Sequence, residues 1–251
     1  MDSVLNQDYE NFEYILIDGN SKDGTQELIA KAKERFSEKI QYVSERDEGI
    51  YDAMNKGIAR ARGDVIGFLN ADDVFENTKV LSDYAITFAA THADIVFADL
   101  KYVDRNDLNR IRRYWKSGSL PKNKMLGGWH PAHPTFYARR ELYEKHGFFR
   151  KDLRIAADYE IMLRFLEKYK ASCAYLPQSV VRMREGGESN RSFANILKAN
   201  KECYLSWKLN SLSMSPLTIP LKLLWKLSQI VIPSLVEGSQ SARKDEAQRK
   251  G

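Results

Sequence analysis

Val65-Ile66-Gly67-Phe68-Leu69-Asn70-Ala71-Asp72-Asp73 is an apolar run of strand length that ends abruptly in two adjacent carboxylates. From Val65 to Leu69 there is no polar alternation, which fits a strand buried on both faces of an α/β sheet. In such sheets ligands sit beyond the carboxyl ends of the strands, where Asp72 and Asp73 fall. Adjacent carboxylates repel unless a cation lies between them, and hard divalent cations take oxygen ligands. Simple capping of the next helix competes on equal terms, since Asp is a favoured N-cap.

Upstream, Tyr14 to Ile17 reads as a strand followed by the polar loop Asp18-Gly19-Asn20-Ser21-Lys22-Asp23-Gly24-Thr25 and a helix over 26–36. A calcium-loop reading of this segment fails, because Ile29 stands where a closing glutamate is needed. Ile40 to Val43 gives a second strand, then the charged turn Ser44-Glu45-Arg46-Asp47-Glu48-Gly49, then a helix over 50–61. Gly57 weakens that helix, so it marks either close packing or a site reached by Asn55 and Lys56. Three β-loop-α units in succession predict a parallel sheet with right-handed crossovers.

Downstream the pattern predicts a helix over 78–91 and a strand over 94–99 ending in Asp99. The basic stretch 101–128, with Arg110, Arg112, Arg113 and Lys116, reads as a solvated loop. Trp129-His130-Pro131-Ala132-His133-Pro134 reads as a substrate-facing loop leading into a strand over 135–138, because no further His or Cys completes a zinc set. Asp158 opens a helix running to Tyr169, where it either caps the helix or serves as a general base. Strands over 174–176 and 179–183 precede the loop Arg184-Glu185-Gly186-Gly187-Glu188-Ser189-Asn190, and a helix over 193–209 follows. Arg182 and Arg184 beside paired glycines suit either a diphosphate or a plain turn.

The chain has 251 residues and carries 39 Lys and Arg against 34 Asp and Glu, a net charge of +5 that suggests an anionic partner. Cys173 and Cys203 lack a metal or redox spacing, which reads as reduced and cytosolic. Pro216 to Val236 is apolar but interrupted by Lys222, Lys226 and Pro233, a pattern for a helix lying in a membrane interface or docked on protein. Residues 239–251 have no apolar anchors and read as a disordered tail.

Six blocks together resemble the family 2 glycosyltransferases, inverting enzymes of the GT-A fold, with similarity to bacterial exopolysaccharide and colanic-acid types. They are Ile17 to Thr25; Glu45-x-Asp47-x-Gly49 through Gly57; Gly63 to Asp73; His130-Pro131-Ala132-His133-Pro134-Thr135-Phe136; Ala156-Ala157-Asp158-Tyr159-Glu160; and Gly186-Gly187-x-Ser189-Asn190. The resemblance implies a Rossmann-like, mainly parallel sheet flanked by helices. The expected organisation is a catalytic domain over 1–210, an amphipathic helical extension over 211–237 that lies on a membrane or docks on protein, and a tail over 238–251.

It also implies roles. Asp18, Asp23, Glu45, Asp47, Asn55, Lys56, Asn70 and Asp72 would bind the nucleotide sugar, a UDP-sugar first among them. Asp72 and Asp73 would hold Mg²⁺ or Mn²⁺, Asp158 would be the general base, and Trp129 and His133 would line the acceptor side. Asn70 stands where the family's first metal-site acid is expected. The acceptor would be a glycan or lipid-linked sugar of a bacterial surface polysaccharide, at the cytoplasmic face of the plasma membrane, with no nucleic acid involved. Relatives open with a strand under the nucleotide, whereas this chain starts at the end of the following helix. One sheet strand is therefore expected to lack a neighbour, and a catalytically inactive nucleotide- or protein-binding module is the alternative. A nucleotidyltransferase is disfavoured, for it needs a glycine- and lysine-rich phosphate loop near the N-terminus.

Overall fold

A computed structural model describes residues 1–36, 38–118, 125–186 and 193–228, without the side chains of 193 and 226–228. The Gly187, Ser189 and Asn190 motif residues and the expected tail lie outside these residues, as does the extension beyond 228.

After the short helix α1 (Asp2–Leu5), strand β1 (Tyr14–Asp18), helix α2 (Thr25–Arg35), strand β2 (Ile40–Ser44) and helix α3 (Ile50–Arg60) follow the predicted alternation. β1 and β2 pair in parallel, from Tyr14 opposite Ile40 to Asp18 opposite Ser44. Their carboxyl ends thus stand side by side.

The second sheet departs from the expectation. It contains β3 (Val65–Ile66), β4 (Val74–Phe75), β5 (Ile95–Val103), β6 (Ile111–Trp115), β7 (Tyr137–Arg139) and β8 (Cys173–Arg184), in the order β3-β7-β5-β8-β4 with β6 beside β5. Only β5 and β8 run parallel here; the other pairs are antiparallel. The sheet is therefore mixed rather than mainly parallel. The reason is that β7 inserts antiparallel between β3 and β5, while β4 lies antiparallel to β8 at the far edge.

β5, rather than the Val65 to Leu69 run, is the strand buried on both faces. Its Ile95 and Phe97 enter one core with Trp129, Phe136 and Tyr143, while Val96, Ala98 and Leu100 enter the other with Tyr84, Phe88 and Val181. β3 lasts two residues, pairs only with β7 among the described residues, and buries only Ile66 of the run. At Gly67 an added Cβ would collide with the Tyr137 ring. Among the described residues β1 pairs only with β2 and β3 only with β7, and both line a cavity of about 1200 Å³.

Two further differences are local. The basic 101–128 segment includes the end of β5 and strand β6, a hairpin rather than a loop throughout. β8 runs unbroken through Pro177 because the register slips there: Ala98 faces Leu176, and Asp99 faces Ser179.

The remaining helices are α4 (Val80–Thr91), α5 (Arg140–His146), α6 (Ala157–Leu163), which continues as a π turn over Arg164–Lys168, α7 (Phe193–Leu209) and α8 (Thr218–Ser228). α8 docks on the body through polar contacts. Thr218 Oγ1 donates to Leu126 O (2.6 Å) and Lys222 Nζ to Cys203 Sγ (2.8 Å), and Gly128 leaves no room for a Cβ against the α8 backbone.

Candidate functional site

Two groups of polar residues gather at strand ends. At the ends of β1 and β2, the Asp18 carboxylate accepts from Ser21 N (3.2 Å), Ser44 Oγ (2.7 Å) and Tyr42 Oη (3.4 Å). Burial works against its charge, but these hydrogen bonds prevail and hold its pKa below the ordinary carboxylate value. Asp23 accepts from Thr25 N and Oγ1, and Asp47 accepts from Gly49 N (3.0 Å). Lys56 donates to Arg46 O (2.6 Å) and lies 3.3 Å from Glu45 and 3.4 Å from Asp52. Lys56 therefore braces the 45–47 turn. Asn55 is placed differently. Its amide bonds both the N–H and the carbonyl of Phe149, at 2.9 Å each, fastening α3 to the segment before α6.

The second group follows β3. Asp72 is exposed and Asp73 buried, and Asp73 Oδ1 has no hydrogen-bond partner, while Asn70 Nδ2 approaches Oδ2 at 3.3 Å. Desolvation, with the neighbouring charge of Asp72, pushes the Asp73 pKa up to about 7. An orphaned buried carboxylate oxygen beside an exposed carboxylate and an amide is a donor set that fits a hard divalent cation. Among the described residues, no cluster of three His, Cys, Asp or Glu side chains surrounds such an ion. Asp72 and Asp73 would hold it from one side, leaving its other positions to diphosphate oxygens and water.

Across the same cavity stands Asp158, in the first turn of α6. Its Oδ1 accepts from Tyr159 N (2.8 Å) and lies 3.3 Å from Tyr51 Oη; its Oδ2 lies 3.8 Å from His133 Nδ1. Tyr51 Oη also donates to Ile155 O (2.7 Å). His133 is held in a short 3₁₀ turn, His133–Thr135, whose Thr135 Oγ1 bonds Ala98 O of β5. Burial lowers the His133 pKa, partly opposed by the charge of Asp158, so the imidazole stays neutral at pH 7. Its Nε2 is buried without a partner.

The structure thus brings Asn70, Asp72, His133 and Asp158 to one cavity wall system, while the Asp18, Asp23, Glu45 and Asp47 group sits at the neighbouring strand ends. Trp129 must be corrected. It is a core residue, 3% exposed, with Nε1 donating to Ser117 O (2.8 Å) and its ring edge-on to Phe97. The resemblance implied an acceptor-side position for it, but the core behind β5 has the stronger claim on its area. Sequence reasoning missed Tyr51, Arg154 and Glu202. Tyr51 and Arg154 line the cavity, and Glu202 reaches the turn before α6 from α7. Tyr51 lay inside a noted motif; nothing near Glu202 marked it.

The chain is similar to known proteins in sequence and in fold. The chain is 28% identical over 193 residues to a "PGL/p-HBAD biosynthesis glycosyltransferase" of Mycobacterium bovis, covering 76% of this chain and 72% of that protein. An "Uncharacterized glycosyltransferase" of Rickettsia bellii is 30% identical over 151 residues, 59% of this chain and 21% of its own length. Among solved structures, S. aureus TarS 1–349 in complex with UDP-GlcNAc superposes with a TM-score of 0.62 at 18% identity, over 84% of this chain and 60% of that one. The mannosyltransferase PcManGT of Pyrobaculum calidifontis, in complex with GDP-Man and Mn²⁺, gives 0.56 at 17%, over 96% and 74%. This chain thus spans less than two thirds of the TarS chain. These likenesses establish the GT-A fold. The family model described as "Glycosyl transferase family 2" matches residues 1–150 of the 251, and the chain belongs to that family of glycosyltransferases.

Proposed function

We propose that this chain transfers a sugar, with inversion, from a nucleoside-diphosphate sugar to a hydroxyl of a glycan or lipid-linked acceptor in bacterial surface polysaccharide synthesis. One observation carries the reading: the Asp158 carboxylate faces the same cavity as Asn70 and Asp72. In this reading Asp158 takes the proton from the acceptor hydroxyl as its oxygen attacks the anomeric carbon from the face opposite the diphosphate. The sugar–phosphate bond breaks in the same displacement, and the nucleoside diphosphate leaves. Neutral His133, beside Asp158, accepts or donates one hydrogen bond on the acceptor side without competing for the base's charge. A Mg²⁺ or Mn²⁺ ion, when bound, neutralises the growing diphosphate charge, and Asp72 and Asp73 are the residues that would hold it. That a neighbour of the same fold binds GDP-Man with Mn²⁺ and another binds UDP-GlcNAc supports both donor class and metal.

The outward face of α8 supports work at the inner face of the plasma membrane. Among the described residues no helix is long and apolar enough to cross a membrane, so contact would be in-plane.

A second reading is a nucleotide- or protein-binding module without catalysis, favoured by β1 and β3 each pairing on one side only among the described residues. Asp158→Asn decides between them. On the catalytic reading it lowers nucleoside-diphosphate release from the donor by roughly 100-fold or more while leaving nucleotide affinity intact. Unchanged turnover in a folded variant would sink the assignment of the base.

A further inference from the structure

The turn that presents Asp158 is gripped from two sides by residues outside it. From α7, the buried carboxylate of Glu202 accepts three successive backbone N–H groups: Arg154 (3.2 Å), Ile155 (2.8 Å) and Ala156 (2.9 Å). From α3, Tyr51 Oη donates to the carbonyl of the middle residue, Ile155 (2.7 Å), and reaches Asp158 Oδ1 at 3.3 Å. The turn's donors and its central acceptor are therefore fixed by two different helices. Each gripping residue is itself anchored. Glu202 is 8% exposed and its carbonyl accepts from Ser206 Oγ. Tyr51 stacks on Phe149 at 5.8 Å, and Phe149 is bracketed by Asn55. Further along, Glu160 Oε1 accepts from Asn210 Nδ2 (2.9 Å), tying α6 to the end of α7 a second time.

We propose that Glu202 and Tyr51 form a clamp that positions the Asp158 carboxylate for proton abstraction, Glu202 by fixing the amides of 154–156 and Tyr51 by holding the Ile155 carbonyl between them. This rests on Asp158 being the base. Neither residue is placed to touch the reacting atoms; they act through Asp158 and are positioning residues. A carboxylate accepting three amides holds a turn far more firmly than a neutral acceptor does. General-base catalysis is sensitive to placement on the scale of one ångström. Glu202 lies beyond the 1–150 region matched by the family model, so the clamp is supplied partly by the chain's own C-terminal half.

The test compares Tyr51→Phe, Glu202→Gln and Asp158→Asn in the full chain. The first two changes keep ring stacking and side-chain volume, and thermal melts check folding. Two readouts are taken. One is backbone hydrogen exchange at amides 154–156, which needs no substrate. The other is nucleoside-diphosphate release from UDP-GlcNAc and from GDP-mannose. The expected result is faster exchange in this turn in Tyr51→Phe, from loss of the hydroxyl that holds the Ile155 carbonyl. Glu202→Gln should speed hydrogen exchange at amides 154–156. Both should lower kcat by roughly tenfold with KM within about twofold. A purely structural role would lower the melting temperature without lowering kcat at constant KM. Unchanged kcat in folded Tyr51→Phe and Glu202→Gln would overturn the clamp. If Asp158→Asn alone retains turnover, the base assignment fails instead.

Discussion

Asp73 is the residue on which the metal question turns. Its carboxyl is buried, one oxygen is unpartnered, and its pKa is pushed up to about 7 from an ordinary 3.8. With the folded value raised, the native state keeps a proton that the unfolded chain has lost. Between about pH 4 and pH 7 the native state therefore binds more protons, and stability falls as pH rises through this window. Asp73→Asn removes the titrating group, so the metal-free melting temperature should decline less steeply there than in the wild type. A divalent cation must displace that proton, so the rise in melting temperature caused by MnCl₂ should be small near about pH 5.5 and larger near about pH 8. Equal Mn²⁺ shifts at both pH values, or a full shift in Asp73→Asn, would show that the ion is held elsewhere.

Among the elements, α8 is held with its polar side inward. Thr218 and Lys222 are buried against Leu126 O and Cys203 Sγ, and the helix backbone closes over Gly128, whose φ is +80°. A Cβ at 128 would lie 2.7 Å from Thr218 O and closer still to Lys222 N, in a backbone region that L side chains rarely adopt. Gly128→Ala should therefore undock α8 at a cost of about 1–3 kcal/mol, while the β5–β8 core persists. Limited proteolysis between α7 and α8 reads this directly. Cleavage as slow as in the wild type would mean that the helix tolerates the displacement. The elements also show what a sequence can disclose. Helical periodicity is local, so α2, α3, α4 and α7 were legible within a residue or two. Strand partners are set by distant segments, so the antiparallel insertion of β7 was not legible, nor was β6 beneath the charge of Arg112 and Arg113. The strand at Val65 was read correctly in place and wrongly in extent, because its apolarity serves a cavity wall rather than two packed faces. Asp18 and Asp72 stood out in the sequence because each closes or follows an apolar run of strand length, and the structure places them at the end of β1 and after β3. Glu202 was not, since a lone acid on an amphipathic helix looks like a solvated side chain.

For the molecule as a whole, the question is why a helix docked by a lysine should turn leucines to solvent. Outward on α8 stand Leu223 and Leu224, the latter 59% exposed, with Leu217 just before the helix at 62%; Trp225 is partly exposed while its Nε1 donates to Gly127 O (3.2 Å). α7 presents Leu197, Tyr204 and Leu205 among the exposed Lys198, Lys201 and Lys208. None of these three lysines forms an ion pair among the described residues, and Lys208 lies over the Tyr204 ring. Apolar side chains interleaved with uncompensated positive charge match the boundary of an anionic bilayer, where acyl chains take the former and headgroups the latter. The net charge of +5 adds long-range attraction of the same sign. The chain should therefore cosediment with vesicles containing phosphatidylglycerol and not with pure phosphatidylcholine, and salt should weaken binding. Leu224→Asp should lower vesicle affinity by roughly tenfold without lowering the melting temperature, because the side chain is already mostly in water. Wild-type affinity in that variant, or equal binding to neutral vesicles, would remove α8 from the membrane contact and leave its leucines to a protein partner.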